Sequence, residues 1–324
     1  MQQSIRRGAV VVIVVALIVP LLAACGGQPA AQPQSDDLKG NITVSGANAL
    51  YPLMVQWSQE FQKLHPGVKF DVSAGGAGKG MTDVLSGASD IGMVSRSITA
   101  QEESNGAYWV PVVKDSVFPA INTQNPALKD LLARGVSHDV FVKIFLTGEI
   151  KTWGEVIGRP EVKDEIHVYT RSDSSGAADA WASYLGKKQD ALKGIGVNGD
   201  PGMLEALGKD PLGIGYSNLA YAFDAASGKP QPGLTLLPVD ANNNTQADAE
   251  EVLDTRAKAI EAVANGKYPS PPVRPDNLVT KGKASGLAQA FLLWVLTDGQ
   301  KFVDSAGLVP LPSDQLTSSL AKVK

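Results

Sequence analysis

The sequence predicts an α/β protein built as two lobes, each with a largely parallel sheet flanked by helices. Three observations carry this. From Asn41 onward, short apolar runs alternate with amphipathic stretches. Glycine- and serine-rich turns follow several of those runs directly. After the N-terminal segment about 285 residues remain, more than one ordinary core accommodates.

The chain opens MQQSIRRGAVVVIVVALIVPLLAAC, with Arg6 and Arg7 ahead of an apolar run from Ala9 to Leu22 and small residues before Cys25. That is the pattern of a secretory signal. The run is broken by Pro20 and falls short of the roughly 20 apolar residues that a spanning helix wants. Leu22-Ala23-Ala24-Cys25 resembles a lipobox, so residues 1–24 are expected to be removed and Cys25, the only cysteine, to carry a lipid. Residues 25–40 are mostly small, polar and proline-containing, and read as a flexible tether.

The elements then follow in order. NITVSG is a strand, LYPLMVQWSQEFQKLH a helix with an apolar face of Leu53, Trp57, Phe61 and Leu64, and VKFDVSA a second strand. GMTDVLSG is a helix, DIGMVSR a strand and loop, and VPVVKDSVFPAIN a buried strand near residues 110–122. The middle region reads DVFVKIFLTG, EIHVYTRSDSSGAADAWASYLG and PLGIGYSNLAYAF. LTLLPVD, a loop, a short helix around Asp254–Asn265, the proline-rich GKYPSPPVRP and a last helix from Ser285 complete it.

Composition excludes several functions. Removing residues 1–24 takes two of the 29 basic side chains and none of the 33 acidic ones, leaving a net charge of −6. A mildly acidic body argues against nucleic acid as a partner, and any anion site must be built locally. No cysteine remains for disulfides, and His65, His138 and His167 share no metal-ligand spacing, so neither metal nor cofactor is expected.

The turn SAGGAGKGM after the second strand looks like a phosphate loop and fails as one. Lys79 is followed by Gly80 rather than a hydroxyl, and Ser73 stands where the first glycine belongs. It is no dinucleotide fingerprint either, because Met81 replaces the third glycine. An exported protein meets little ATP in any case. The physics of the turn survives: glycines let backbone N–H groups converge on a small anion, and the next helix adds its positive end.

A second such loop, TRSDSSGAADAW, lies in the middle region, and the SGAN turn and Arg96 also sit at strand ends. Binding sites of open α/β sheets lie there, so a cleft between two halves is expected. Arg96 and Arg171 offer forks of donors suited to oxyanions.

These stretches resemble the phosphate-binding subunit of bacterial phosphate ABC importers, a type II periplasmic-type solute-binding protein. The resemblance runs from about Asn41 to Pro312. It is carried by SGANALYPLMVQW, AGGAGKGMTDVLSGASDIGMVSR, FLTGEIKTWGEV and YTRSDSSGAADAW, and by two later stretches, GVNGDPGMLEALGKDPLGIGYSNLAYA and NLVTKGKASGLAQAFLLWVLTDGQKFVDSAGLVPLP. It implies two lobes joined by two crossover strands that form a hinge, near residues 117–121 and 218–234, the first lobe made of 41–118 with 222–324 and the second of 119–221. It further implies inorganic phosphate as ligand, ABC permease subunits as partners, a monomer, no catalysis, and a site outside the cytoplasmic membrane on a lipid anchor. Carried over by residue, Asn48, Ala49 and Leu50 form one binding loop, Ala77 and Gly78 a second, Ser95 and Arg96 a third. Arg171, Asp173, Ser175, Gly176 and Ala177 form the fourth.

Three positions depart from the family. Asn48, Ala77 and Ala177 stand where it usually has hydroxyls, which opens the site to another oxyanion such as tungstate, molybdate or sulfate. Lys79 is the candidate for compensating charge. Asp173 has two open roles, accepting the proton of a protonated phosphate or orienting Arg171. A rival from another class is a secreted hydrolase using Ser174 or Ser175 with His167, although the G-x-S-x-G elbow is missing.

Overall fold

The computed structural model describes residues 38–269 and 272–324. The expected signal peptide, Cys25 and all but the end of the tether lie outside the described residues. Twelve strands are described: β1 (Gly40–Gly46), β2 (Val68–Ala74), β3 (Ile91–Val94), β4 (Ala107–Asp115), β5 (Val117–Asn122), β6 (Val136–Ser137), β7 (His167–Arg171), β8 (Ile195–Val197), β9 (Gly213–Asn218), β10 (Leu234–Leu236), β11 (Val239–Asp240) and β12 (Arg274–Lys281).

They form two five-stranded sheets, ordered β2-β1-β3-β12-β4 and β10-β5-β9-β7-β8, with β11 and β6 paired apart. In the first sheet β2, β1 and β3 run parallel, and β12 is antiparallel to both β3 and β4. In the second, β9, β7 and β8 run parallel, and β5 is antiparallel to β9 and β10. Each sheet therefore has a parallel core of three strands, and the antiparallel members include β5 and β12, the strands that follow the two crossings. Read from β8, the second sheet repeats the order of the first.

Each sheet has its own core. Trp57, Phe61, Met93 and Phe291 fill the first, and Phe118, Trp153, Trp181 and Tyr216 the second. The helix Tyr51–Leu64 packs Leu53, Met54, Trp57 and Phe61 inward with Pro52 in its first turn, where a missing N–H costs nothing. Leu64, expected on that face, is 59% exposed because the helix ends there. The long strand expected near 110–122 is two strands, β4 and β5, broken at Ser116 where the chain crosses between lobes. After the helix Gly286–Val295 comes a further helix, Ser313–Val323, that the sequence reading did not separate.

The lobe boundary moves. Leu234–Leu236 pairs with β5, and Ala259, Val263 and Tyr268 pack in the second core. The chain returns to the first sheet only between Tyr268 and Arg274, so the second crossing lies there rather than at 218–234, and the stretch from 222 to 268 joins the second lobe. Trp181→Ala should cost about 3–5 kcal/mol of stability, because Trp181 is fully buried against Phe141, Phe145 and Tyr216. Chemical denaturation read by circular dichroism checks this; a loss below about 1 kcal/mol would contradict the packing.

Candidate functional site

The carboxyl ends of the parallel strands of both sheets meet. After β1 a short turn, Asn48–Leu50, is entirely buried. After β2 comes Gly76 with φ 92, then the helix Ala77–Ser86, whose first N–H groups have no acceptor within the helix. β7 leads into residues 172–175 and the helix Gly176–Tyr184, and β8 into the helix Gly199–Lys209. Three helix N-termini thus bring positive dipole ends to one region.

The loops touch across the lobes. The Gly78 N–H donates to the Ser174 carbonyl at 3.1 Å. A Cβ on Gly176 would lie 2.1 Å from Ser95 Oγ, and one on Gly199 would lie 3.6 Å from Asn48 Oδ1. Of the expected residues, Asn48, Ala77, Gly78, Ser95, Arg171, Asp173, Ser175, Gly176 and Ala177 therefore stand on turns that converge on this cleft, with Ala49 and Leu50 directly behind Asn48.

Arg171 is its buried charge, with a side chain 2% exposed. Its Nε and Nη2 donate to the two Asp173 oxygens at 2.7 and 2.6 Å, and Nη1 donates to Asp200 Oδ2 at 2.9 Å. Burial opposes its charge, but Asp200 and Asp173 more than offset that and hold the guanidinium above its ordinary range. Three of its five N–H groups are used, which leaves two for a ligand. Asp173 also accepts the Gly199 N–H at 3.1 Å, so its oxygens are committed to orienting Arg171. Ser175 Oγ accepts from the Ala177 and Ala178 N–H groups, which caps the helix.

Two expected donors have partners within their own lobe, although Arg96 also lines a cavity with Asp173, Ser174 and Ser175. Arg96 forms a two-pronged pair with Glu102 at 2.7 and 3.0 Å and donates to the Ser97 carbonyl. Glu102 is the main reason its pKa is raised. Lys79 pairs with Asp83 one turn along its own helix and is half exposed, which places its charge on the surface. His167 and Ser175 stand at opposite ends of β7, and His167 bonds Asp210 Oδ2 at 2.7 Å, so the hydrolase pairing does not form.

The sequence reading missed the residues that brace the cleft loops from behind. Gln189 accepts the Ser175 N–H at 3.0 Å and donates to the Asp173 carbonyl at 2.6 Å, strapping that loop in place. Asp200, fully buried, accepts from Asn218 Nδ2 at 2.8 Å. Arg274 lies behind them with Asp115 and Asp276. An Arg next to a proline in a proline-rich stretch gave no local signal of burial.

Both Asp276 oxygens lack a hydrogen-bond partner among the described residues, and a bulge in the β12–β4 pairing occurs there. Burial pushes the Asp276 carboxyl well up, and burial likewise pushes Asp115 up to about 6 against the pull of Arg274. With folded values above the unfolded one, these groups favour the folded state at low pH, and that contribution begins to be lost above about pH 4, for Asp115 through about 6. Asp276→Asn should therefore raise the melting temperature at pH 7 by at least about 2 °C and flatten its dependence above about pH 4. A lower melting temperature at pH 7 would show that the charge is matched in the native state.

Among the described residues no three His, Cys, Asp or Glu side chains could together hold a metal ion. The loop after β11 does place Asp240, Asn242, Asn244, Asp248 and Glu251 at the first, third, fifth, ninth and twelfth positions of a calcium-loop spacing, with Thr245 (φ 60) at the glycine position. In the structure those oxygens bond the loop's own N–H and amide groups.

Two mixed sheets facing each other across a cleft with a buried guanidinium define a two-lobed binding protein. The chain matches the PBP superfamily domain over residues 31–299 and belongs to that superfamily. It is 26% identical to the phosphate-binding protein PstS of Bacillus subtilis, covering 96% of this chain and 97% of that protein. It is 28% identical to PstS of Methanocaldococcus jannaschii, covering 96% and 94%. Among solved structures, a substrate-binding protein with bound phosphate from Clostridium perfringens superposes with a TM-score of 0.68 at 23% identity, over 84% of this chain and all of that one. An ABC-type phosphate transport receptor from Vibrio cholerae gives 0.60 at 18%, with the same coverage. These two likenesses concern the fold.

Proposed function

We propose that the chain is a non-catalytic phosphate receptor of an ABC importer, which captures inorganic phosphate between its lobes and delivers it to a membrane permease. One observation carries this: the buried Arg171, oriented by Asp173, faces a cleft where helix N-termini from both lobes converge. The relatives named as phosphate-binding proteins, aligned over nearly their whole length, support the choice of ligand. Lipidation of Cys25 would keep the receptor at the outer face of the membrane. Among the described residues no helix is long and apolar enough to cross one.

Equilibrium binding of phosphate, arsenate, sulfate, molybdate and tungstate to the mature chain tests this. Phosphate is expected to bind most tightly with sulfate a poor competitor, and preference for another anion would overturn the ligand. A second reading, the same cleft holding a different oxyanion, is favoured by the buried methyl groups of Ala77 and Ala177 at two of the three positions that lack the expected hydroxyls.

Asp173→Asn decides between that residue's two roles. Because both its oxygens serve Arg171, the variant should weaken phosphate and sulfate alike, by roughly 10-fold to 100-fold for one charged hydrogen bond. Titration with both anions measures this; a gain for sulfate alone would instead make Asp173 the proton acceptor.

A further inference from the structure

We propose that Arg274 is a positioning residue for the anion cleft, stapling the two chain crossings together and fixing the Ser95 turn of the first lobe relative to Arg171 of the second. The inference rests on the reading of the cleft as an anion site, although Arg274 itself is not among the residues assigned to the ligand.

Arg274 is the first residue of β12, just after the second crossing, and is 7% exposed. Its Nη2 donates to Asp115 Oδ2 at 3.0 Å, and Asp115 is the last residue of β4, just before the first crossing. One guanidinium therefore ties both crossings at a single point. Its Nε donates to the Ser95 carbonyl at 2.6 Å, inside one binding loop. Nη2 also donates to Asn218 Oδ1 at 2.6 Å, at the end of β9 in the other lobe. Asn218 Nδ2 donates to Asp200, which accepts from Arg171. A continuous chain of buried hydrogen bonds, Arg274–Asn218–Asp200–Arg171, thus joins the binding loops of the two lobes behind the cleft.

Buried charge of this kind is a poor way to gain stability, since well-packed apolar groups commonly serve as well or better. What it provides is geometry. A planar fork contacting a carbonyl, an amide and a carboxylate at once fixes three elements relative to one another, and a lysine cannot reproduce that. Both ends of the chain are binding loops, so the geometry it fixes is that of the site.

The test uses Asn218→Ala in the full mature chain, with Arg274→Lys as companion. In Asn218→Ala the phosphate dissociation rate should rise about tenfold with little change in association, and small-angle scattering of the phosphate-free protein should give a larger radius of gyration than wild type. Adding Asn218→Ala to Arg274→Lys should weaken binding by less than twofold more, because both cut one chain. If Arg274→Lys does not fold, Asn218→Ala alone decides. A lowered melting temperature with unchanged dissociation rate and unchanged scattering would make the network merely structural and overturn the proposal. Should wild type bind no phosphate, the proposed function fails, and the scattering comparison still judges the staple.

Discussion

Arg171→Ala is expected to weaken phosphate binding by roughly 30-fold to several thousand-fold, the 2–5 kcal/mol lost when one partner of a desolvated charge pair is removed. Two costs combine. The anion loses the only buried cation on the TRSDSSG loop, and Asp173 and Asp200, both at most 11% exposed, lose the group that neutralises them. Those carboxylates would then repel the incoming anion. Lys79→Ala is the matched control, since Lys79 is satisfied by Asp83 at the surface, and it should change affinity less than twofold to threefold, as exposed pairs do. Calorimetric titration of both variants is the measurement. Near-native binding by Arg171→Ala would mean that the anion sits elsewhere.

Gly176→Ala should be almost as damaging for a different reason. The added methyl group would lie 2.1 Å from Ser95 Oγ and 2.3 Å from the Ser95 carbonyl oxygen, and the latter is backbone that cannot rotate away. Gly176 opens a helix, where alanine is otherwise preferred, so the second lobe by itself should be no less stable. The clash acts only between lobes. Overpacking of this kind costs about 1–3 kcal/mol, a loss of roughly fivefold to 150-fold in affinity, with an unchanged melting temperature and a larger radius of gyration at saturating phosphate. Native affinity would show that the Ser95 turn yields without cost.

What could be read in the sequence and what could not divide along physical lines. Strands such as NITVSG and the glycine- and serine-rich turns after them are local signals, because backbone conformation and helix capping are set within a few residues. The positions of Asn48, Ala77 and Arg171 followed from them. The lobe boundary did not: β10 and β11 have three and two residues, too few to show a period, and only their pairing with β5 and β6 assigns them to the second lobe. Arg274 was illegible for a related reason. Its partners are 179, 159 and 56 positions away, and nothing near RPDN marks it as buried. Arg96 shows the opposite limit, since its place at a strand end was clear while its capture by Glu102, six residues on, depends on a capping box that also uses Thr99.

The placement of β12 bears on how the molecule assembles. That strand sits between β3 and β4 and bonds both, yet it arrives 159 positions after β4 at its Asp115 end. The second lobe, from β5 to Tyr268, is contiguous along the chain and has all its strands by then. The first lobe at that stage is a sheet with a gap, its β3 and β4 edges unsatisfied and open to wrong partners. Closing the gap carries a long-loop entropy cost that grows only slowly with length, so the delay is kinetic more than thermodynamic. Residues from Arg274 on therefore complete a sheet begun much earlier in the chain, and a chain cut before Arg274 should retain a folded second lobe beside an unfinished first one.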